Sequence, residues 1–107
     1  MDEERTISAI TTTVGSLADA QKLARALLER RVAACVQVEE GLTSFYRWQG
    51  RQCEEAEVRL TIKTLPDREA GVLTLFQEQH PYEVPQFAAV RMQATEAYHL
   101  WVRGEVS

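Results

Sequence analysis

The sequence predicts an α+β fold, a ferredoxin-like β-α-β-β-α-β sandwich with one extra helix at the C-terminus. Three observations carry that expectation. Strand-like and helix-like segments alternate in this order, two facing β-patterned stretches are long enough to form one extended β2-β3 hairpin, and 107 residues suffice for one core but not two. Residues 1–107 are therefore read as a single domain.

Arg5 to Val14 is rich in Thr, Ile and Val and reads as the first strand. Ser16 followed by Asp19 is a capping-box pattern. Behind it Leu17, Ala20, Ala24, Leu27 and Leu28 recur at helical spacing, and Glu29-Arg30-Arg31 is expected to place cations in the last turn.

The hairpin is expected over Val32 to Thr64, turning at Gln49-Gly50. Val32, Ala34, Val36 and Val38 share one face of its first arm, and Ala56, Val58, Leu60 and Ile62 share one face of its second. A two-residue turn makes paired residue numbers add to 99, which would set Val36 beside Lys63 and mix the two faces. A β-bulge at Glu40-Gly41 lowers the sum to 98 and sets Val36 opposite Ile62 and Cys35 opposite Lys63. An odd-length loop at the tip is the competing solution. Either way Cys35 and Cys53 lie far apart, which argues against a disulfide within the chain.

Pro66 and Asp67 open a second helix whose buried side is expected from Val72, Leu73 and Phe76. Pro81 and Pro85 end it and impose an extended loop, His80-Pro81-Tyr82-Glu83-Val84-Pro85. Phe87 to Gln93 reads as the last strand. Thr95 caps a final helix with Leu100 and Trp101 on one face, and Gly104 is expected to stop it.

Composition narrows the function classes. Sixteen acidic against twelve basic residues give a net charge of -4, which argues against a nucleic-acid partner and against adhesion to an anionic membrane. The start, Met1-Asp2-Glu3-Glu4, has neither the basic nor the apolar character of a signal peptide, and no apolar run approaches the roughly 20 residues of a membrane span. A cytoplasmic location is expected. In the predicted fold both crossover helices lie on one face of the sheet. The other face carries Cys35, Gln37, Glu57, Arg59 and Lys63 with the aromatic Tyr46 and Trp48, and a homo-oligomer that buries it is expected.

Four stretches also carry a family resemblance: Arg31-Val32-Ala33-Ala34-Cys35-Val36-Gln37-Val38, Gly41-Leu42-Thr43-Ser44-Phe45-Tyr46-Arg47-Trp48-Gln49-Gly50, Glu57 through Lys63-Thr64, and His80-Pro81-Tyr82-Glu83-Val84-Pro85. In order and spacing they resemble the Ala-Ala-Cys strand, the G-x-x-S-x-Y-x-W-x-G hairpin, the E-x-x-x-x-x-K-T strand and the H-P-Y-E-x-P loop of the CutA divalent-cation-tolerance family. The resemblance runs from Ser8 to Trp101. It implies a ferredoxin-like subunit in a tight homotrimer, similar in architecture to the PII signalling proteins, and a cytosolic role in tolerance of copper and other divalent cations. Two positions depart from the family pattern: Gln86 stands where Glu is common, and Gln37 where Asn is common.

Cys35, opposite Lys63, offers a soft sulfur ligand, and His80 with Glu83 on a proline-flanked loop offers an imidazole and a carboxylate suited to Cu(II) or Zn(II). A complete metal site from Cys35, His80 and Glu83 would need donors from a neighbouring subunit. The bland readings are a packed cysteine and a helix-terminating turn. Trp48, Glu57, Lys63 and Tyr82 are expected at an intersubunit cleft, where ion pairing and aromatic anchoring compete with ligand binding. No glycine-rich elbow or oxyanion motif flanks Cys35, so no catalytic residue is expected, and no organic cofactor. The expected function is therefore metal-ion homeostasis by direct binding. The alternative is a PII-like signalling or scaffold trimer that binds a small metabolite or a protein in its intersubunit clefts.

Overall fold

The computed structural model describes residues 5–107; the acidic start at residues 1–4 lies outside the described residues. The strands are β1 (Thr6–Val14), β2 (Cys35–Trp48), β3 (Arg51–Thr64) and β4 (Ala88–Gln93), and the helices are α1 (Leu17–Glu29), α2 (Glu69–Gln79) and α3 (Glu96–Glu105). One antiparallel sheet runs in the order β2-β3-β1-β4. That is the strand order of the split β-α-β arrangement read from the sequence.

The hairpin register follows the counting argument. Gln49 and Gly50 turn the chain with φ of 51° and 78°, the left-handed pair that suits a two-residue hairpin loop. From Trp48↔Arg51 to Leu42↔Glu57 the paired numbers add to 99, and from Glu39↔Arg59 to Cys35↔Lys63 they add to 98. The slip lies between Glu39 and Leu42, where Gly41 adopts φ 80°. Without that extra residue, Val36 and Val38 would turn away from the helices.

Alternation then sorts the two faces. Ile10, Val14, Val58, Leu60 and Ile62 meet Ala20, Leu23 and Leu27 of α1 and Val72, Leu75 and Phe76 of α2 in the main core. The opposite face carries Ile7, Ala9, Thr11 and Thr13 on β1, with Val90 and Met92 on β4 and Cys35 and Lys63 at the far end of the hairpin. That face is not wholly open. Val102 and Val106 of α3 bury Ile7 and Leu65 in a second cluster, so α3 closes one end of it.

Several boundaries differ from the sequence reading. Helix α1 ends at Glu29, with Arg30 as its cap and Arg31 at φ 59°. Arg31 N donates to Leu28 O and Val32 N to Leu27 O, a Schellman closure. The two arginines thus lie beyond the last turn, and Arg30 instead pairs with Glu78 of α2 at 2.8 Å. The closure buries Val32 and Ala33, so β2 begins at Cys35 rather than Val32. Leu28 and Leu73 are exposed, while Leu23 and Leu75 take their expected places in the core. A short 3-10 turn, Pro66–Arg68, precedes α2. In α3 the buried residue is Val102 rather than Leu100 or Trp101, and the helix passes through Gly104 to Glu105.

Gly41 has open space around its missing side chain, so only backbone conformation restricts it. Gly41→Ala is expected to lower unfolding free energy by about 1–2 kcal/mol, the cost of a left-handed non-glycine residue. Urea denaturation of the two proteins checks this; an unchanged midpoint would mean that the bulge does not depend on the glycine.

Candidate functional site

The loop after α2 runs round the edge of the sheet and is held on both faces. On the helix side the His80 ring packs against Phe76 at a centroid distance of 5.1 Å, and its Nε2 lies 2.9 Å from Thr12 Oγ1. His80 Nδ1 accepts from Tyr82 N at 3.1 Å. An acceptor at Nδ1 makes the ring neutral with its hydrogen on Nε2, which donates to Thr12. Burial holds the His80 pKa below the ordinary histidine value, only partly offset by a hydrogen bond to the Thr13 backbone and by the charge of Asp19. Protonation would also place a hydrogen on Nδ1 against the Tyr82 N–H.

On the other face the Tyr82 hydroxyl donates to Glu57 Oε2 at 2.6 Å. Glu57 is only 8% exposed, so this carboxylate is held below the surface of the hairpin. Burial, then the hydrogen bond to Glu57, raises the Tyr82 pKa well above the ordinary tyrosine value. Tyr46, one pleat up the hairpin, donates to Glu55 Oε1 at 3.2 Å. Its pKa is raised by burial and by that same carboxylate.

Loop and hairpin enclose a cleft of roughly 600 Å³. Ser44, Phe45, Tyr46, Trp48 and Glu57 form the hairpin wall, Pro81 through Val84 with Gln86 form the loop wall, and Thr13 supplies the end of β1. Phe45 is 70% exposed at its mouth. Gln86 Nε2 donates to Thr11 Oγ1 at 3.0 Å. A glutamate has no such donor, so the departure Gln86 is matched by a specific bond to β1.

Trp48, Glu57 and Tyr82, expected together, do line one cleft, and Glu83 joins them. Lys63 does not; it sits opposite Cys35 at the other end of the hairpin. Cys35 lies on the face away from α1 and α2, whereas the His80 ring lies on the helix side beside Thr12. Among the described residues no group of three or more His, Cys, Asp or Glu side chains gathers where it could hold a metal ion. Cys35, His80 and Glu83 thus do not meet within one chain, and both His80 nitrogens already have partners. Cys35 and Cys53 are both free thiols. Sequence reasoning flagged Gln86 only as a departure from the family pattern and missed Thr12 and Ser44 as site residues. Period-two alternation signals Ser44, which shares a face with Tyr46 and Trp48, but nothing local signals Thr12.

The motifs in this hairpin and loop match a known family. The model for the CutA1 divalent ion tolerance protein matches residues 8–105. The chain belongs to the CutA1 divalent-ion-tolerance family. It is 38% identical over 95 residues to the divalent-cation tolerance protein CutA of Thermus thermophilus, covering 88% of this chain and 92% of that protein. The CutA structure from Synechococcus elongatus superposes with a TM-score of 0.90 at 33% identity, covering 96% of this chain and 92% of that one. A structure from Archaeoglobus fulgidus, described as a periplasmic divalent cation tolerance protein, gives a TM-score of 0.90 at 27% identity, covering 94% and 99%. The family is named for tolerance of ions and not for a reaction.

Two outcomes test this geometry. Tyr82→Phe removes the partner of a buried carboxylate and is expected to cost about 2 kcal/mol of unfolding free energy, measured by denaturant titration; a smaller loss for Tyr82→Phe in a Glu57→Gln background would identify the bond as the cause. His80 has a folded pKa below its unfolded value of about 6.5, so the unfolded state binds the proton more tightly. Stability is expected to be full above that value and to fall as pH drops from it toward the folded pKa. His80→Gln flattens that part of the profile.

Proposed function

We propose that this protein acts in divalent-cation tolerance as a cytosolic homotrimer that binds Cu(II) or Zn(II) directly, without a catalytic step. The observation that carries the reading is family membership over residues 8–105, because the family is defined by tolerance of divalent ions. The trimer is supported by the half-uncovered sheet face. Val90 and Met92 are exposed on it, Tyr46 and Trp48 are exposed further along the hairpin, and β2 and β4 are the outer strands of the sheet. Among the described residues no helix is long and apolar enough to cross a membrane.

Metal ligation is assigned to Cys35, His80 and Glu83 as parts of sites completed by a neighbouring copy. One chain alone does not bring three such donors together. Cys35 supplies a soft donor from a strand that lies at the sheet edge, and Glu83 a hard one from the loop. His80 can join only by giving up its bond to Thr12 or to Tyr82.

A second reading is a metabolite-binding trimer of PII-like type, and the roughly 600 Å³ cleft favours it, since that volume suits a small molecule.

Calorimetric titration with Cu(II) and Zn(II) tests the first reading, with light scattering to fix the assembly at about three times the 12.2 kDa chain. Saturable binding at a ratio tied to the trimer, weakened about tenfold or more by Cys35→Ala or by His80→Ala, is expected. No saturable binding of either metal would end the direct-binding reading.

A further inference from the structure

The cleft between hairpin and loop has a chemistry that metal ligation does not use. Within one chain, and among the described residues, its lining includes two acidic side chains, Glu57 and Glu83, and no lysine or arginine. Glu57 is more than nine-tenths buried, and it accepts a hydrogen bond from a neutral phenol, Tyr82. Among the described residues no salt bridge reaches it, and the nearby Arg59 pairs with Glu39. A buried carboxylate facing no cation is costly, and a cation entering the cleft would offset that cost.

The aromatic walls select the kind of cation. The hydroxyls of Tyr46 and Tyr82 are tied to Glu55 and Glu57, which restrains the two rings and leaves Glu57 its other carboxylate oxygen for an incoming ligand. Trp48 stands on the same hairpin face as Tyr46. Aromatic faces beside a carboxylate attract a diffuse organic cation, whereas a metal ion needs several N, O or S donors converging on one point. Such a convergence is absent among the described residues. An anion would meet Glu57 and Glu83, and a neutral ligand would leave Glu57 uncompensated.

We infer that this cleft binds a small organic cation of the ammonium or guanidinium class, its charge set against Glu57 and beside the rings of Tyr46, Trp48 and Tyr82. The inference rests on the metabolite-binding reading and gives it a ligand class; it is independent of metal tolerance.

The protein has two tryptophans, Trp48 and Trp101, so the indole N–H resonances report inside and outside the cleft. The full chain is titrated with choline, with methylguanidinium, and with 3,3-dimethylbutan-1-ol, a neutral isostere of choline. Saturable shifts at Trp48 but not at Trp101 are expected for the two cations, with the neutral isostere binding about tenfold more weakly or worse. Glu57→Gln is expected to remove that preference. Where this variant fails to fold, the comparison of choline with its isostere in the unaltered protein still decides. Equal binding of the isostere would overturn the organic-cation assignment while leaving a small-molecule cleft in place. No response of Trp48 to any of the three would overturn both.

Discussion

The two arms of the hairpin cannot keep a single register along their whole length. The turn at Gln49-Gly50 dictates one pairing, and the apolar faces of the lower arms demand another, one residue out of step. The bulge between Glu39 and Leu42 reconciles them. The segregation of the two sheet faces depends on that extra residue. Below it, Leu60 and Ile62 face the helices; above it, Tyr46, Trp48 and Glu57 share the face that α1 and α2 leave bare.

The loop of residues 80–87 depends on that division too. His80 is fixed from the helix side by Thr12 and Phe76, and Tyr82, two residues on, is fixed from the other side by Glu57. The two anchors lie on opposite faces of one sheet. The loop is thus stretched round its edge, with Pro81 between the anchors, and cannot slide without losing one of them. The cleft therefore exists in the single chain, because its loop wall is positioned by bonds internal to it. Pinning by a neutral histidine also makes the helix-side anchor sensitive to acid, whereas the Tyr82–Glu57 anchor keeps its phenol protonated across the ordinary pH range.

What was legible in the sequence was what repeats at short range. Alternation over Val36 and Val38 against Leu60 and Ile62, a two-residue turn and one glycine sufficed to set the register, because a slip of one residue inverts every side chain. Local signals failed where the deciding partner is distant. Arg31 holds the left-handed position that closes α1 without being a glycine, and buried Val32 and Leu27, which the closure links, stabilise it there. Leu23 and Leu28 fit the helical pattern almost equally well, and only the position of the sheet chooses between them. Likewise nothing near Thr12 announces His80, 68 residues away. Within one chain Trp48, Glu57 and Tyr82 line one cleft while register places Lys63 beside Cys35, so the intersubunit grouping of all four expected from the family motifs turns on a neighbouring copy.

That separation bears on the cation binding proposed for the chain. Its soft donor, Cys35, and its one strand-borne ammonium in that region, Lys63, sit together at one end of the hairpin; the buried carboxylate and the aromatic rings sit at the other. A transition metal and an organic cation make different demands, the first for converging lone pairs and the second for faces and a screened negative charge. The hairpin holds the two sets of features apart, the thiol at one end and the rings with the carboxylate at the other. The proposed metal site at the Cys35 end would need a second copy to supply donors, whereas the walls of the cleft at the Glu57 end come from one chain.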